Sequence, residues 1–344
     1  MISRRKTRQV KVGHVNIGGG APVSIQSMAK VDTSDVRAVV AQIKSLERAG
    51  CEIIRVAVKS LDDARAIRGV KEKINIPLVA DIHFNYRLAL ESIKAGADKI
   101  RLNPGNIGKR DEIAQVIKAA KRAHIPIRVG VNSGSVLTGD DRMVSGEKLV
   151  EAAMSYIKFF EEEDFHDIII SLKASDVVTT IEAYRRISGI SDYPLHLGVT
   201  ASGSYKTGVI KSAIGIGSLL ADGIGDTVRV SLTAEPVEEV IAAKCILSAV
   251  GARSFGPEVI SCPTCGRCQV DLGKIVHKLE DALRTTKTPL TVAVMGCEVN
   301  GPGEAKEADI GIAFGKNSGM LFKKGKKIKK VAFKDAIKEL LKII

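Results

Sequence analysis

The sequence of 344 residues contains no tryptophan, and only 4% of its residues are aromatic. Side chains that stack on nucleic-acid bases are therefore scarce, which argues against a nucleic acid as the partner. No apolar run approaches the roughly 18 residues that a membrane-spanning helix needs. The first residues, MISRRKTRQVKV, contain no apolar stretch of the kind found in secretory signals. We expect a cytoplasmic protein that binds neither a membrane nor a nucleic acid.

Negative charge is also in short supply, because 52 lysines and arginines face 39 acidic residues and leave a net charge of +13. Such a surplus can serve solubility alone, but it also suits an anionic substrate or an acidic electron donor. The densest basic run contains Lys323, Lys324, Lys326, Lys327, Lys329 and Lys330. For this run we prefer a solvated surface to a contact with an acidic donor.

Residues 20–250 alternate short apolar segments with amphipathic helices. The segments are rich in Val, Ile and Leu, as is typical of parallel strands buried on both faces. Eight strands are predicted, at 22–28, 52–58, 77–84, 99–102, 126–131, 167–172, 195–199 and 227–232. Eight strand–helix units in about 230 residues predict a (β/α)8 barrel of the TIM type. A doubly wound open sheet is the alternative.

Local signals place the ends of some elements of this barrel. We predict that Ser34 caps the start of the first helix and that Gly50 ends it. Ser60 and Asp63 have the spacing of a capping box for the second helix. Residues 6–20 are expected to form a β-hairpin that covers the bottom of the barrel.

The pattern changes after residue 251, where proline, glycine and cysteine cluster. We therefore expect a barrel domain over residues 1–251 and a smaller α+β domain over residues 252–344. The second domain is predicted to contain helices near 271–283 and 334–343, and strands at 290–295, 310–314 and 329–333.

Polar side chains interrupt or follow the predicted barrel strands at spacings of two or four, which places them on one face. They are Arg55, Asp81, His83, Arg101, Asn103, Arg128, Asn132, Lys173, His196, Arg229 and Ser231. A single arginine could pair with Asp81 and merely fill the barrel, but one carboxylate cannot neutralise four arginines and a lysine. Because guanidinium groups bind phosphate with two parallel hydrogen bonds, the set predicts a phosphate or diphosphate site at the barrel mouth.

The six cysteines are distributed unevenly along the chain. Cys51 and Cys245 stand in apolar stretches and are expected to be inert core thiols. Four others fall within 36 residues, namely Cys262, Cys265, Cys268 and Cys297. In a cytoplasmic protein this clustering indicates metal or redox chemistry rather than disulfides.

Two kinds of metal site are compatible with the four clustered cysteines. Zinc could use all four in a tetrahedral site, but the C-x2-C spacing together with a distant third cysteine favours an iron–sulfur cluster. The fourth ligand is open between Cys268 and Glu304, whose carboxylate follows a Gly-Pro-Gly turn. An oxygen ligand would exchange more readily than a fourth thiolate.

Several stretches carry a resemblance to a known family. They are VADIHFNYRLAL, IRLNPGNIG, IPIRVGVNSGS, LKASD, PLHLGVT, KSAIGIG, GIGDTVRVSL, EPVEE, SCPTCGR and GCEVNGPGEA. In order and content they resemble the (E)-4-hydroxy-3-methylbut-2-enyl diphosphate synthases of the two-domain bacterial type, which act in the non-mevalonate isoprenoid pathway. The last two stretches are highly specific.

The resemblance implies a barrel fused to an iron–sulfur domain similar to those of sulfite and nitrite reductases. It implies reductive ring opening of 2-C-methyl-D-erythritol 2,4-cyclodiphosphate with loss of water, driven by reduced ferredoxin or flavodoxin. It also implies a head-to-tail homodimer in which the cluster of one subunit caps the barrel of the other.

The resemblance also assigns roles to individual residues. Ligands of a [4Fe-4S] cluster fall on Cys262, Cys265, Cys297 and Glu304. Diphosphate contacts fall on Arg55, Arg101, Arg128, Asn132, Lys173, Arg229 and Ser231. Catalytic positions fall on Asp81, His83, His196 and Glu304.

The chain departs from the family pattern at a few positions. The family has Glu-Ala-Gly after HLGVT, with the glutamate proposed to transfer a proton, but this chain has Ala201, Ser202 and Gly203. Ala29 and Lys30 replace the family's threonine and asparagine. Two alternatives therefore remain, a diverged paralogue that reduces another phosphorylated compound and an iron–sulfur carrier or sensor.

Overall fold

The computed structural model describes residues 2–107, 109–135, 145–174, 176–200, 203–283, 286–298 and 307–344. The chain divides into two compact units, Met1–Arg253 and Ser254–Ile344. In the described part of the chain, no helix is long and apolar enough to cross a membrane.

The first unit begins with a β-hairpin of β1 (Gln9–Val12) and β2 (Val15–Gly18). The strands are antiparallel, and Val12 pairs with Val15 across a turn at Gly13, whose φ is +56°. The hairpin predicted for residues 6–20 is therefore present.

Eight parallel strands follow and form one sheet. They are β3 (Ser24–Met28), β4 (Ile53–Ala57), β5 (Leu78–Ile82), β6 (Lys99–Leu102), β7 (Ile127–Asn132), β8 (Ile168–Lys173), β9 (His196–Leu197) and β10 (Thr227–Val228). The sheet runs from β8 through β3 and β10 to β9, and a parallel bridge between Ile170 and Leu195 joins its ends. The predicted barrel is thereby confirmed.

Eight helices alternate with these strands. They are α1 (Val36–Ala49), α2 (Leu61–Lys71), α3 (Tyr86–Lys94), α4 (Arg110–Ala123), α5 (Gly146–Glu162), α6 (Val177–Ile190), α7 (Tyr205–Ala221) and α8 (Pro236–Ala249). Each buries an apolar stripe; in α1 the stripe is Val39, Val40, Ile43 and Leu46.

The predicted helix ends were right in two cases and wrong in one. Gly50 ends α1 with φ +98°, and the capping box of Ser60 and Asp63 is formed at α2. The prediction for Ser34 was wrong, because the carboxylate of Asp35 accepts the N–H of Ala38 and caps α1. Ser34 instead donates its hydroxyl to Asp32 in the preceding loop.

The hairpin lies against the start of the barrel strands, at the bottom of the barrel. One apolar cluster joins the hairpin residues Val10, Val12 and Ile17 to the strand residues Ile53, Val79 and Ile169. Because these strand residues stand near the amino ends of β4, β5 and β8, the hairpin seals the end opposite the mouth, as expected.

In its described residues, the second unit contains a five-stranded sheet and two α-helices. Its elements are β11 (Glu258–Ser261), α9 (Leu272–Leu283), β12 (Thr291–Met295), β13 (Ile310–Phe314), β14 (Ser318–Lys323), β15 (Lys326–Ala332) and α10 (Ala336–Leu341). The strands pair in chain order; β11, β12 and β13 are parallel, and the other pairings are antiparallel. Leu279 of α9 and Leu340 of α10 share a buried core with Ile312 of β13.

The basic run near the carboxyl end forms the hairpin of β14 and β15. Its turn is Lys324 and Gly325, both with positive φ (+48° and +73°), which is typical of two-residue hairpin loops. β15 is the edge of the sheet, and exposed lysines on an edge discourage pairing with another chain. This arrangement is consistent with the preferred solvated surface.

Candidate functional site

A cavity of about 130 Å³ opens at the carboxyl ends of the barrel strands. It is lined by Arg55, Asp81, His83, Arg101, Arg128, Asn132, Ser171, Lys173, Thr200 and Arg229. All but two of these, Ser171 and Thr200, were predicted from their positions in or after the barrel strands. Asn132 and Lys173 are the last residues of β7 and β8 and lie opposite each other in the register.

Asp81 is the acidic centre of the cavity. Its carboxylate accepts a hydrogen bond from Nη1 of Arg101 at 3.1 Å, and Nε of Arg55 lies 3.6 Å away. Burial alone would raise the pKa of Asp81, but the two arginines and His83 together hold that pKa well below its usual range. Asp81 is therefore a carboxylate at neutral pH, and it orients the two guanidinium groups.

His83 stands at the rim beside this pair. Its Nε2 lies 3.2 Å from Nη1 of Arg101 and 3.6 Å from the carboxylate of Asp81. Its side chain is 44% exposed, so the imidazole can exchange protons with solvent and with a molecule in the cavity.

Several N–H groups of the cavity's cations lack acceptors in the described part of the structure. Buried nitrogen atoms without a hydrogen-bond partner include Nε of Arg101, Nε and Nη1 of Arg128, and Nε of Arg229. Nε and Nη2 of Arg55 donate to the sulfur of Met28 at 3.1 and 2.9 Å, and thioether sulfur is a weak acceptor. Buried donors normally find a partner, so these side chains fit an anionic ligand.

Burial and mutual repulsion destabilise the charged forms of these cations. Burial lowers the pKa of Arg128 to about 9, with a further contribution from Arg101. Burial and the neighbouring arginines, Arg229 first among them, lower the pKa of Lys173 well below its usual range. An anion in the cavity would relieve both effects.

Two glycines allow these long side chains to cross the barrel interior. A Cβ on Gly130 would lie 2.9 Å from Nε of Arg101, and a Cβ on Gly198 would lie 3.1 Å from Nζ of Lys173. A side chain on Gly130 would displace Arg101, and one on Gly198 would crowd Lys173 and lie 2.7 Å from the backbone carbonyl oxygen of Arg229. Neither glycine carries a sequence signal for this role, because the requirement arises between strands.

A second polar layer lies below the cavity. Lys99 and His196 are fully buried there, and Nζ of Lys99 lies 3.4 Å from Oε1 of Gln26. Both ring nitrogens of His196 lack a hydrogen-bond partner within the described chain. Burial and the charges of Arg128, Lys173 and Lys99 hold the pKa of His196 well below its usual range, so the imidazole is neutral.

Because His196 belongs to this lower layer, it does not line the cavity. The catalytic role of His196 stays a prediction. Sequence reasoning missed Lys99, although it stands two residues before Arg101 on the same strand and therefore shares its face. Ser231 and Asn103 also lie outside the cavity lining. Asn103 is buried, with an amide oxygen that lacks a partner among the described residues.

A larger depression of about 600 Å³ lies elsewhere on the first unit, between the N-terminal segment, α5 and α6. Both of its arginines already donate to acceptors, and in the described residues only Nε of Arg5 is a buried arginine nitrogen there without a partner. Nη2 of Arg5 donates to the carbonyl of Tyr193 at 2.6 Å, and Nε of Arg8 lies 2.8 and 2.9 Å from the two oxygens of Asp192. The smaller cavity, with its unsatisfied donors, is therefore the better candidate for an anion site.

In the second unit, two loops that contain cysteines begin at the carboxyl ends of neighbouring parallel strands. β11 and β12 are parallel, with Ser261 opposite Val294, so Cys262 and Cys297 follow neighbouring strand ends. The sulfur of Cys262 accepts the backbone N–H of Gly296 at 3.3 Å. This hydrogen bond brings the Cys262–Cys265 pair next to Cys297, a donor set of thiols that fits an iron–sulfur cluster.

Two predicted ligand positions have different outcomes. Glu304 lies outside the described residues. Cys268 stands close to the other cysteines, because its sulfur fills the space where a side chain on Gly296 would begin. In the described ranges, no three His, Cys, Asp or Glu groups are arranged to hold a single metal ion.

The isolated cysteines differ from each other. Cys51 is buried, as predicted, and burial raises the pKa of its thiol to about 12. The prediction of a core position for Cys245 was wrong, because Cys245 is exposed on the outer face of α8. That helix is apolar on most of its surface, so its sequence does not distinguish the outer face from the inner one.

One of the departures from the family pattern has a visible structural role. The ammonium group of Lys30 lies 3.0 Å from the buried carboxylate of Glu239 and donates to the carbonyl of Leu232 at 2.8 Å. Lys30 therefore ties the loop after β3 to the start of α8. Ala201 lies outside the described residues.

The chain matches two family models, described as the GcpE TIM-barrel domain, over residues 7–244, and the GcpE protein C-terminal domain, over residues 258–344. A relative from Clostridium perfringens, named 4-hydroxy-3-methylbut-2-en-1-yl diphosphate synthase (flavodoxin), is 56% identical over 346 residues, which cover 100% of this chain and 99% of that protein. A relative of the same name from Thermodesulfovibrio yellowstonii is 55% identical over 347 residues, with the same coverage.

Among solved structures, the barrel is similar to dihydropteroate synthases. The enzyme from Stenotrophomonas maltophilia aligns with a TM-score of 0.54 at 14% identity, over 72% of this chain and 99% of that chain. The enzyme from Yersinia pestis aligns with a TM-score of 0.51 at 13% identity, over 71% of this chain and 99% of that chain. At such low identity these likenesses show the barrel fold alone.

Proposed function

Because this chain belongs to the GcpE protein family, we propose that it is an iron–sulfur oxidoreductase that opens the ring of 2-C-methyl-D-erythritol 2,4-cyclodiphosphate. The product is 4-hydroxy-3-methylbut-2-en-1-yl diphosphate, the compound that names the relatives. Two electrons enter and one oxygen of the substrate leaves as water, so at least one proton must be delivered to that oxygen.

The single observation that carries the proposal is the set of buried, unsatisfied N–H groups in the barrel cavity. Arg101, Arg128 and Arg229 each present at least one such donor, and among the described residues that line the cavity the one carboxylate is that of Asp81. A diphosphate supplies both the missing acceptors and the missing negative charge. Arg55, Asn132 and Lys173, which line the same cavity, complete the proposed diphosphate site. Ser231 lies outside the lining, and its proposed diphosphate contact rests on the family resemblance alone.

We assign the cluster to the second unit, with Cys262, Cys265, Cys297 and Glu304 as ligands of a [4Fe-4S] group. When bound, the cluster would supply electrons one at a time and an iron site that binds an oxygen of the substrate. The chemistry of the donors supports this, because three thiolates and one oxygen leave one iron with an exchangeable position.

The remaining polar groups of the cavity would orient its arginines and deliver a proton to the substrate. Asp81 holds Arg55 and Arg101 towards the diphosphate. His83 is half-exposed at the rim and within hydrogen-bond reach of Arg101, so it is our candidate to deliver the proton that Ala201 cannot carry. His196 is neutral and lies below the cavity, where it would support Arg128 rather than touch the substrate.

We further propose that the protein works as a head-to-tail homodimer that receives electrons from reduced flavodoxin or ferredoxin. The relatives' printed name includes flavodoxin. Phe84 follows His83 at the rim and is 75% exposed. An apolar side chain in that position suits a surface that a second subunit covers, which would also exclude water from the reaction.

The test is anaerobic reconstitution with iron and sulfide, followed by an assay of cyclodiphosphate consumption with a strong chemical reductant. Conversion to the linear allylic diphosphate is the expected result. An intact cluster without any conversion would overturn the proposed substrate and favour the diverged paralogue.

A carrier or sensor is the remaining alternative, and the fourth ligand distinguishes it. A closed carrier needs four thiolates, so the substitution Cys268→Ser would destroy its cluster. If the proposal is right, Cys268→Ser retains the cluster, as judged by iron and sulfide content, whereas Cys297→Ser loses it.

A further inference from the structure

The cysteine-rich loop contains a second C-x-x-C motif that overlaps the first. The proposed ligand pair is Cys262 and Cys265, and Cys265-Gly-Arg-Cys268 follows immediately. The backbone N–H of Cys268 donates to the carbonyl of Cys265 at 2.9 Å, which closes a four-residue turn. In such a turn the two end Cα atoms lie within about 7 Å, and disulfides join Cα atoms roughly 4.4 to 6.8 Å apart.

Cys268 is not among the proposed ligands of the cluster. Its thiol donates to the carbonyl of Val270 at 3.2 Å, and its sulfur packs against Gly296, beside Cys297. The sulfur of Cys262 lies 3.5 Å from the position that a Cβ on Gly296 would occupy. Cys268 is thus a spare thiol held next to the cluster ligands rather than a distant surface cysteine.

The three cysteines of the loop differ in access. Cys265 is exposed, whereas Cys262 and Cys268 are partly buried. Cys262 packs against both apolar clusters of the second unit and accepts the N–H of Gly296. Cys265 is therefore the thiol that an oxidant in solution reaches first, and Cys268, across the turn, is in position to react with it next.

We propose that Cys265 and Cys268 form a reversible disulfide when the protein lacks its cluster. The oxidant we invoke is a low-molecular-weight disulfide. The thiolate of Cys265 attacks one of its sulfur atoms and releases one thiol; Cys268 then attacks the sulfur of Cys265 and releases the second. The two protein thiols lose two electrons and two protons, and the small disulfide becomes two thiols.

Such a bond would protect one ligand of the cluster site. A lone exposed thiolate is oxidised through sulfenic acid to sulfinic and sulfonic acids, which do not revert without dedicated enzymes. A disulfide between Cys265 and Cys268 stops this sequence at a stage that any dithiol reverses. The disulfide rests on the geometry of the turn alone, whereas its protective value rests on the proposed cluster.

The experiment uses the full-length protein without its cluster, treated with oxidised glutathione, blocked with iodoacetamide and digested with trypsin. Trypsin cuts after Arg267, so Cys262 and Cys265 remain in peptide 254–267 and Cys268 falls in peptide 268–274. We expect the two peptides to be linked, and fragmentation to locate the bond at Cys265, with roughly tenfold less linkage after dithiothreitol treatment.

Three outcomes would overturn the proposal. They are the absence of linked peptides, a bond that joins Cys268 to Cys262, and a dominant bond within peptide 254–267. The matched control is Cys245→Ser, which removes an exposed thiol of the other unit and must leave the linkage unchanged. Cys268→Ser must abolish it.

A second measurement tests protection directly. Cluster-free protein would be exposed to hydrogen peroxide, treated with dithiothreitol and then reconstituted with iron and sulfide. The wild type should regain its full iron and sulfide content, and Cys268→Ser should regain several-fold less and carry sulfinic or sulfonic acid at Cys265. Equal recovery would contradict the protective role. Because the linkage is measured without substrate, a failed turnover assay would not affect it, and a failed linkage would leave the enzyme proposal intact.

Discussion

The protein carries two concentrations of positive charge, one in the barrel interior and one on a surface hairpin, and they differ above all in burial. In the barrel interior, Arg55, Arg101, Arg128 and Lys173 are each at most 7% exposed. On the hairpin of β14 and β15, six lysines project from the edge of a sheet, and those of β15 are exposed. The hairpin charges have water as their partner, and the interior charges do not.

This difference identifies the site more reliably than charge density along the sequence does. A desolvated cation costs free energy unless an opposite charge or hydrogen-bond acceptors accompany it. The hairpin lysines require no ligand, and the one at position 329 already pairs with Glu339. The interior arginines retain unsatisfied donors. A bound anion would offset the free energy that their burial costs.

The largest effect should come from removing one interior arginine. We expect Arg128→Met to lower kcat/KM for the cyclodiphosphate by about 10- to 100-fold, because charge-assisted hydrogen bonds contribute roughly 1.5 to 3 kcal/mol each. Steady-state assays of the reconstituted enzyme measure this. The melting temperature should not fall, since the substitution removes an unsatisfied buried charge.

The matched control is Arg8→Met, which removes an arginine that already pairs with Asp192. Its kcat/KM should stay within about twofold of the wild-type value, because surface ion pairs contribute little. An equal loss of kcat/KM in Arg128→Met and Arg8→Met would contradict the claim that cations with unsatisfied donors bind the substrate and paired cations do not.

A smaller effect is expected from Lys99, the buried lysine below the cavity. Burial, with Arg128 and Arg55, lowers the pKa of Lys99 well below 10.5. Between the folded pKa and 10.5 the unfolded chain binds a proton that the folded chain does not, so this group makes stability rise with pH. Lys99→Met should therefore raise the melting temperature at pH 7 by about 2–4 °C.

The pH dependence gives the sharper readout for Lys99. The gain from Lys99→Met should shrink as the pH increases from 7 towards 10.5, because deprotonating the lysine on folding then costs progressively less free energy. Scanning calorimetry at several pH values measures it. A gain that is independent of pH would mean that packing, not charge, sets the cost of Lys99.

The smallest effect should come from the hairpin. Replacing Lys326, Lys327 and Lys330 by glutamine should change turnover by less than about twofold, both with a chemical reductant and with reduced flavodoxin. A large loss of turnover with flavodoxin alone would show that the hairpin binds an acidic electron donor. The hairpin lysines would then not be merely solvated.

Much of the barrel and most of its site could be predicted from sequence. Parallel strands buried on both faces are continuous apolar segments, so β4, β6 and β8 were located within a residue or two. Strand parity grouped Arg101 with Asn103 and Asp81 with His83, because side chains alternate between faces. Parity does not tell how deep each residue lies, which is why His196 was grouped with the cavity.

What the sequence missed depends on contacts between distant segments. β11 is four residues long and is held by pairing with β12, so its own sequence carries little signal. Ser171 shares its face with Lys173, but serine in a strand is ordinary. Gly130 matters because the side chain of Arg101 passes over it, and Gly198 because the backbone of Arg229 and the side chain of Lys173 approach it closely.

The central claim is that the unsatisfied interior cations bind the diphosphate, and a binding titration tests it without requiring turnover. The cyclodiphosphate would be titrated calorimetrically into wild-type protein and into Arg229→Met, both without the cluster. We expect saturable binding at one site per barrel for the wild type, and an affinity at least about tenfold weaker for the variant. No binding to the wild type, or equal affinity in the two proteins, would contradict the claim.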